Sequence, residues 1–261
     1  MTRLRTRGLR QIVRFNWPFY AAALAIVVAA PPAIARLPGG APLRALMYGA
    51  TGLVLFWLVA SLVASWIVYD CSRLMQWDWI LQALGFNPAS WINLHTGFDE
   101  ATPRLQAIFT NADGRVFDIF DPAEMTEPSI ARARLRSRRE PERGGRDAIA
   151  IRPERADFRC LPLASGTIDA AMLLLSAHEL RTERARAALF TELRRVLGPG
   201  GRIVVAEHMR DWANFLAFGP GFLHFHSRRT WALCFSRHRF DIHREFSITP
   251  FVRVFVLRRL T

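Results

Sequence analysis

The sequence predicts an α/β domain built on a mostly parallel sheet and carried behind two membrane-spanning helices. Three observations predict it. Residues 15–35 and 45–69 contain no charged side chain, and each reaches the roughly 20 residues that a spanning helix needs. From Trp91 onward, short apolar runs alternate with helical patterns, as in successive βαβ units. Two late apolar runs, 240–248 and 251–257, are joined by Thr249 and Pro250 and read as a closing antiparallel pair.

Composition sets the frame for these elements. The chain has 261 residues and a formal net charge of +13, with no lysine, so arginine supplies every fixed positive charge. That bias is expected of a GC-rich bacterial source. Arginines beside apolar spans fit an anionic lipid surface better than nucleic acid, so membrane lipids are the expected partner and nucleic acid is not. The arginine-rich helix face at 132–139 reads as solvated. Cys71, Cys160 and Cys234 are far apart and form no CxxC pair, which excludes a zinc knuckle or a disulfide framework and fits a reducing compartment.

The anchor is expected over residues 1–70. Pro31 and Pro32 remove backbone donors near the outer end of the first span, so the second span is the stronger and a re-entrant first segment is the alternative. A cleaved signal peptide is the competing reading. It is disfavoured because the first stretch is long, a second follows directly, and residues 36–44 make a tight connecting turn. Arg3, Arg5, Arg7, Arg10 and Arg14 hold the N-terminus in the cytoplasm, and two crossings return the following domain there. The expected location is the bacterial inner membrane. Residues 71–90 form a juxtamembrane linker whose stretch 72–85 packs either on the membrane or on the domain.

Residues 91–261 form the expected domain. Its elements are a strand at 91–95, a helix near 100–109, a strand at 115–120 and a helix from about 122 into 131–139. A mobile loop at 140–146 and an apolar patch at 148–151 follow. Then come a buried strand at 168–175, a helix at 177–197 stopped by Gly198, Pro199, Gly200 and Gly201, a buried strand at 202–206, and the closing pair.

Residues 157–208 carry a resemblance. An acidic residue, Asp157, precedes Leu161 and Pro162, a Thr167-to-Asp169 step leads into a strand, and ELRRVLGPGGRIVVAEH gives a helix, a PGG turn and another strand. This stretch resembles the C-terminal half of the class I S-adenosylmethionine-dependent methyltransferases. Upstream, VFDIFDPAEMTEPSIARAR is similar to the family's second strand and following helix. The resemblance covers about 91–257 and implies a Rossmann-like class I methyltransferase sheet with an antiparallel C-terminal strand, and S-adenosylmethionine as cofactor. It places Asp118 where a carboxylate accepts both ribose hydroxyls, a position at a strand end that suits two O–H donors, and Asp157 with Phe158 at the adenine. The family's glycine-rich loop corresponds to WINLHTGFDEAT, where Asn93, His95, Gly97 and Asp99 are the expected cofactor contacts. Only Gly97 keeps the glycine there, and side chains at the neighbouring positions crowd the ligand or force the loop outward.

The remaining candidates follow. Methyl transfer needs in-line positioning and a dry pocket more than side-chain chemistry; a general base, where present, is His178 or Glu179, directly after the buried strand. His208 beside Glu207 reads as a structural pair. The aromatic-rich segment 211–231 sits where the family builds its substrate lip, with Phe222, His224, His226, Arg228 and Arg229 as candidate substrate contacts. His224 and His226 lack a nearby cysteine or carboxylate partner in sequence, so no metal is expected. The expected protein is a membrane-anchored methyltransferase acting on a lipophilic or membrane-associated small molecule. The alternative is an inactive methyltransferase-like scaffold in a membrane complex, supported by the altered glycine loop.

Overall fold

The computed structural model describes residues 6–97, 99–139 and 151–260, and the chain divides into two compact units, Met1–Ser72 with Asp211–Leu223, and Arg73–Arg210 with His224–Thr261. The first unit opens with α1 (Arg7–Phe15), α2 (Trp17–Arg36) and α3 (Ala41–Trp66), the last continuing through a π-helical turn at Ile67–Cys71. Both apolar stretches are therefore helical. Helix α2 passes through Pro31 and Pro32 without interruption. The prolines lie close to its C-terminal end, where few backbone bonds remain to be lost, and Pro31 O accepts the Tyr48 hydroxyl of α3 at 3.4 Å.

These helices turn their apolar side chains outward. Leu24, Val28, Leu46, Leu53, Phe56 and Val63 are all exposed, and only 6% and 17% of the most apolar stretches of the two long helices are buried within the protein. A core helix of a soluble domain would bury one face. Helix α1 is fastened instead by a carboxylate: Asp70 accepts the Gly8 and Leu9 N–H groups at 2.9 and 2.8 Å, as an acid at a helix N-terminus should. Only glycine fits at position 8, since a Cβ there would lie 2.4 Å from that of Tyr69.

In the second unit, a short 3₁₀ turn (Leu74–Gln76) and α4 (Trp79–Leu84) occupy the stretch whose partner the sequence left open. It packs on the domain. Leu74, Trp77, Trp79, Ile80 and Leu84 are buried, the Trp79 ring meets Phe246 edge-on at 6.1 Å, and Arg202 donates to Leu84 O. The chain then runs through β1 (Ser90–His95), α5 (Thr102–Ile108), β2 (Asp113–Asp118), α6 (Pro128–Arg139), β3 (Glu154–Arg155), β4 (Ile168–Leu174), α7 (Glu183–Val196) and β5 (Leu197–His208). After α8 (Trp212–Phe218), which belongs to the first unit, it ends with α9 (Arg228–Arg237), β6 (Phe240–Thr249) and β7 (Val252–Arg259).

The seven strands form one sheet in the order β3-β2-β1-β4-β5-β7-β6, with β7 antiparallel to β5 and β6 and the others parallel. The centre reads as an unbroken apolar run: Ala170, Ala171, Met172 and Leu173 of β4 are fully buried, as befits a strand covered on both faces. Chain order reverses between β1 and β4, so the C-terminal ends of these strands open a crevice for a ligand.

Several boundaries differ from expectation. The helix expected from 122 starts at Pro128, because the Asp121 carboxylate holds residues 121–125 in a turn through the Ala123 N–H. The helix expected from 177 starts at Glu183, where the Thr182 hydroxyl caps it by accepting the Ala185 N–H at 3.1 Å. The glycine run is extended and opens β5; Gly200 adopts φ +78° there, a region natural to glycine. The loop expected at 140–146 and most of the patch at 148–151 lie outside the described residues.

Candidate active site

Two clusters of side chains stand at the C-terminal edge of the sheet, one at β1 and β2, the other at β4 and β5. At the first, Asp118 ends β2 opposite His95 of β1. Its carboxylate is engaged by the Arg134 guanidinium through two bonds of 2.8 Å, and Arg134 also donates to Thr96 O and stacks 4.1 Å over the Phe120 ring. Burial opposes the charge on Asp118, but the arginine bonds outweigh it and hold the carboxyl below its ordinary pKa. Gly97, at φ +117°, lies directly under Arg134; a Cβ at this position would overlap the arginine stem.

The loop after β1 is braced from within. Asn93 is buried and donates to Asp99 Oδ1 at 3.1 Å and to Thr102 Oγ1 at 3.0 Å, while the same Asp99 oxygen accepts the Ala101 and Thr102 N–H groups. His95 Nδ1 accepts the Gly97 N–H at 3.0 Å. Its Nε2 is buried with no hydrogen-bond partner among the described residues, and burial lowers the pKa of the ring. Of the four loop residues singled out in the sequence, His95 thus offers an unused polar atom, whereas Asn93 and Asp99 serve the loop itself.

Beside Asp118 a cavity of about 230 Å³ opens between the end of β2 and the turn at 155–159, lined by Ile119, Phe120, Asp157 and Phe158 among others. Asp157 and Phe158 thus line a cavity that begins one residue beyond Asp118. Arg159 closes one side, pairing with Asp121, Asp157 and Glu124 and stacking on Phe158.

The second cluster forms where β4 ends. Leu175 takes a left-handed conformation, φ +55°, and turns the chain into a 3₁₀ segment, Ala177–Glu179. Glu207 of β5 is completely buried and caps this turn. It accepts the N–H groups of Ser176, Ala177 and His178 at 3.1, 2.7 and 3.3 Å, and its second oxygen lies 2.6 Å from His178 Nδ1. Burial alone would lower the His178 pKa, but the two flanking carboxylates, Glu207 first, push it up to about 10. The Glu207 partner is thus His178, not the adjacent His208, which stacks on Phe225 at 4.9 Å and reaches Phe251 O.

Three further distances close the cluster. His178 Nε2 lies 3.4 Å from Glu179 Oε1, His224 Nε2 lies 3.9 Å from the same oxygen, and His224 Nδ1 lies 3.3 Å from Glu127 Oε1. Burial and the His178 charge push His224 down to about 4. His226 lies apart from this cluster, because His224 still belongs to the 3₁₀ segment Gly219–His224 whereas His226 is bridged to Met209. It contacts Arg186 at 3.0 Å and Trp231 edge-on, and burial with the arginine charge pushes it down to about 3.

The other lip residues separate. Phe222 belongs to the helical unit and packs on Phe215 at 5.1 Å. Arg228 is paired with Glu245 through α9 and β6, and Arg229 is exposed on α9. Sequence reasoning missed Arg134, which it read as part of a solvated face, and the partners Glu207 and Glu127. For Glu127 the sequence holds no signal, since it lies in a polar turn before α6.

Residues 115–205 match the family model described as a methyltransferase domain. Among solved structures, the pyocyanin biosynthetic protein PhzM aligns at 17% identity over 97% of this chain and 73% of its own, with a TM-score of 0.55. A SAM-dependent methyltransferase from Aquifex aeolicus aligns at 16% identity over 71% and 91%, with a TM-score of 0.51. At these identities the likeness is one of fold. No curated protein matches the sequence.

Proposed function

We propose that this chain is a membrane-anchored S-adenosylmethionine-dependent methyltransferase acting on a lipophilic or membrane-associated small molecule, with its N-terminus and catalytic domain on the cytoplasmic side of a bacterial inner membrane; the methyltransferase-domain match over residues 115–205 and the fold likeness of the sheet-bearing unit support the methyl-transfer part. The observation that carries the membrane part is the outward-facing apolar surface of α2 and α3 on the same chain as the methyltransferase domain. Helix α8 supports it. The Trp57 indole of α3 donates to Phe215 O at 3.2 Å, Gly219 lies against the same ring, and Trp212, Leu216 and Leu223 remain exposed on this helical unit, as suits an interfacial segment.

The residues present fit S-adenosylmethionine. Asp118 suits the ribose hydroxyls once Arg134 releases it, the cavity between Phe120 and Phe158 suits the adenine, and His95, with Nε2 unpartnered among the described residues, stands at the end of β1 where the loop that would hold the methionine part begins. Bound there, the cofactor supplies an electrophilic methyl group on a sulfonium. The chain contributes position and dryness. His178, held as a cation between Glu207 and Glu179, is unsuited to take a proton, so Glu179, with one oxygen unpartnered among the described residues, is the better group to orient an acceptor hydroxyl.

The test is calorimetric titration of the detergent-solubilised full chain with S-adenosylmethionine and S-adenosylhomocysteine, with Asp118→Ala as control, followed by methyl transfer to membrane lipid extracts. Binding that weakens by about tenfold or more in the variant and label that enters the lipid fraction support the reading. Absence of binding by the folded protein opposes it and favours a scaffold. An unchanged rate on a soluble acceptor after removal of residues 1–70 opposes a membrane acceptor.

A further inference from the structure

We propose that His178, Glu179 and His224 form a binding site for a divalent transition-metal cation, best suited to Zn²⁺, with His178 Nε2, a Glu179 oxygen and His224 Nε2 as ligands. The ligating atoms all lie within 4.8 Å of one another. Ligands about 2.0–2.1 Å from a tetrahedral cation stand roughly 3.4 Å apart, so the spacings of 3.4 and 3.9 Å to Glu179 need only a small contraction.

Two independent features set this cluster apart from an accidental meeting of polar groups. Each histidine presents Nε2 to the centre while its Nδ1 rests on a carboxylate outside the triad: Glu207 behind His178 at 2.6 Å and Glu127 behind His224 at 3.3 Å. Carboxylates in that position fix the ring orientation and strengthen a metal-ligating imidazole, and the cation would take the place of the Nε2 proton that His178 otherwise carries, releasing it on binding. The second is Glu179 itself, which is only 7% exposed and whose Oε2 has no hydrogen-bond partner among the described residues. Leaving a buried carboxylate oxygen unpaired is costly unless something charged belongs beside it.

The donor set chooses the ion. Two imidazoles and one carboxylate match a zinc site with an open position, whereas Mg²⁺ and Ca²⁺ prefer all-oxygen shells. The open coordination position would receive an oxygen of the small-molecule acceptor, so the inference narrows the acceptor class of the proposed methyl transfer to one bearing a hydroxyl or similar oxygen donor. That narrowing rests on the methyltransferase reading; the cation site itself rests on the ligand geometry.

Metal content of the tag-free, detergent-solubilised full chain tests it, after chelation and titration with Zn²⁺, and with Co²⁺ for its visible absorption. One cation per chain is expected in the wild type and in His243→Ala, an exposed histidine elsewhere. Glu179→Gln and His224→Ala should lose it, and Glu127→Gln should weaken it by roughly 10- to 100-fold. No stoichiometric cation in the folded wild type, or equal affinity in Glu179→Gln and His224→Ala, overturns the site. S-adenosylmethionine titrations of the same samples separate the two readings: cofactor binding without metal sinks this inference alone, and metal without cofactor binding sinks the methyl-transfer reading alone.

Discussion

Asp118 and Glu207 are both carboxylates near the C-terminal ends of parallel strands of one sheet, yet their charges are answered in opposite ways. Glu207 is sealed: three backbone N–H groups and a histidine ring fill its lone pairs, and none of its surface is exposed. Asp118 is answered mainly by one side chain, Arg134, which takes both its oxygens, with a single backbone donor, the Phe120 N–H at 3.2 Å, beside it, and a fifth of the Asp118 side chain is exposed. A fully buried carboxylate held by three backbone donors is part of the scaffold. One bound by a mobile class of side chain can exchange that partner for a ligand. The difference teaches which of two similar acids in a sheet crevice holds the fold and which is available for binding.

The sharpest way to break this comparison is Glu207→Ala. It leaves the buried His178 and three N–H donors without an acceptor, and removing one partner of a buried ion pair costs about 3–5 kcal/mol. Thermal unfolding of the full chain in detergent should show a large loss; a loss of under about 1 kcal/mol would place Glu207 with the exchangeable acids. Asp118→Ala should behave inversely, leaving stability nearly intact while weakening S-adenosylmethionine by roughly 10- to 100-fold, the worth of one or two hydrogen bonds to a charged group. Equal cofactor affinity in this variant would remove Asp118 from the site. A smaller effect of the opposite sign is expected from Arg134→Ala. Freeing Asp118 of a partly exposed ion pair worth up to about 1 kcal/mol should raise cofactor affinity by up to about fivefold, and a decrease would show that the arginine assists binding.

The legible parts of this molecule are those in which one local pattern decides the outcome. The two long apolar helices follow from charge-free length, and β4 follows from consecutive apolar residues that only a doubly covered strand accommodates. Helix starts were less legible, since they depend on which side chain caps the turn: Thr182 displaced the start of α7 by several residues from the position the apolar pattern suggested. The candidate site divides along the same line. His178 and Glu179 were singled out because they follow the buried strand directly, whereas Asp118 and Asp157 were singled out through the resemblance to methyltransferases. The pairs Glu207 with His178, Glu127 with His224, and Arg134 with Asp118 join segments far apart in the chain, and nothing in a single sequence specifies which of many arginines or acids will meet. The case of His224 is instructive: no carboxylate partner stands near it in sequence, and the fold brings Glu179 and Glu127 within 4 Å of its ring nitrogens.

The smallest expected effect is the pH dependence of the Asp118 pair. Because Arg134 depresses the folded pKa of Asp118 below its ordinary value, the unfolded chain takes up its proton first as pH falls. The stability from this pair is therefore fully present above the ordinary carboxylate range of about 4. It declines below that range and vanishes once pH passes through the depressed folded value. Denaturant midpoints of the wild type and Arg134→Ala, followed from neutral to acid pH in the same detergent, should keep a constant separation down to about pH 4 and then converge. Curves that stay parallel through the acid range would mean that Arg134 contributes by stacking on Phe120 and not by its charge, and Asp118 would then be free for a ligand without losing a stabilising partner.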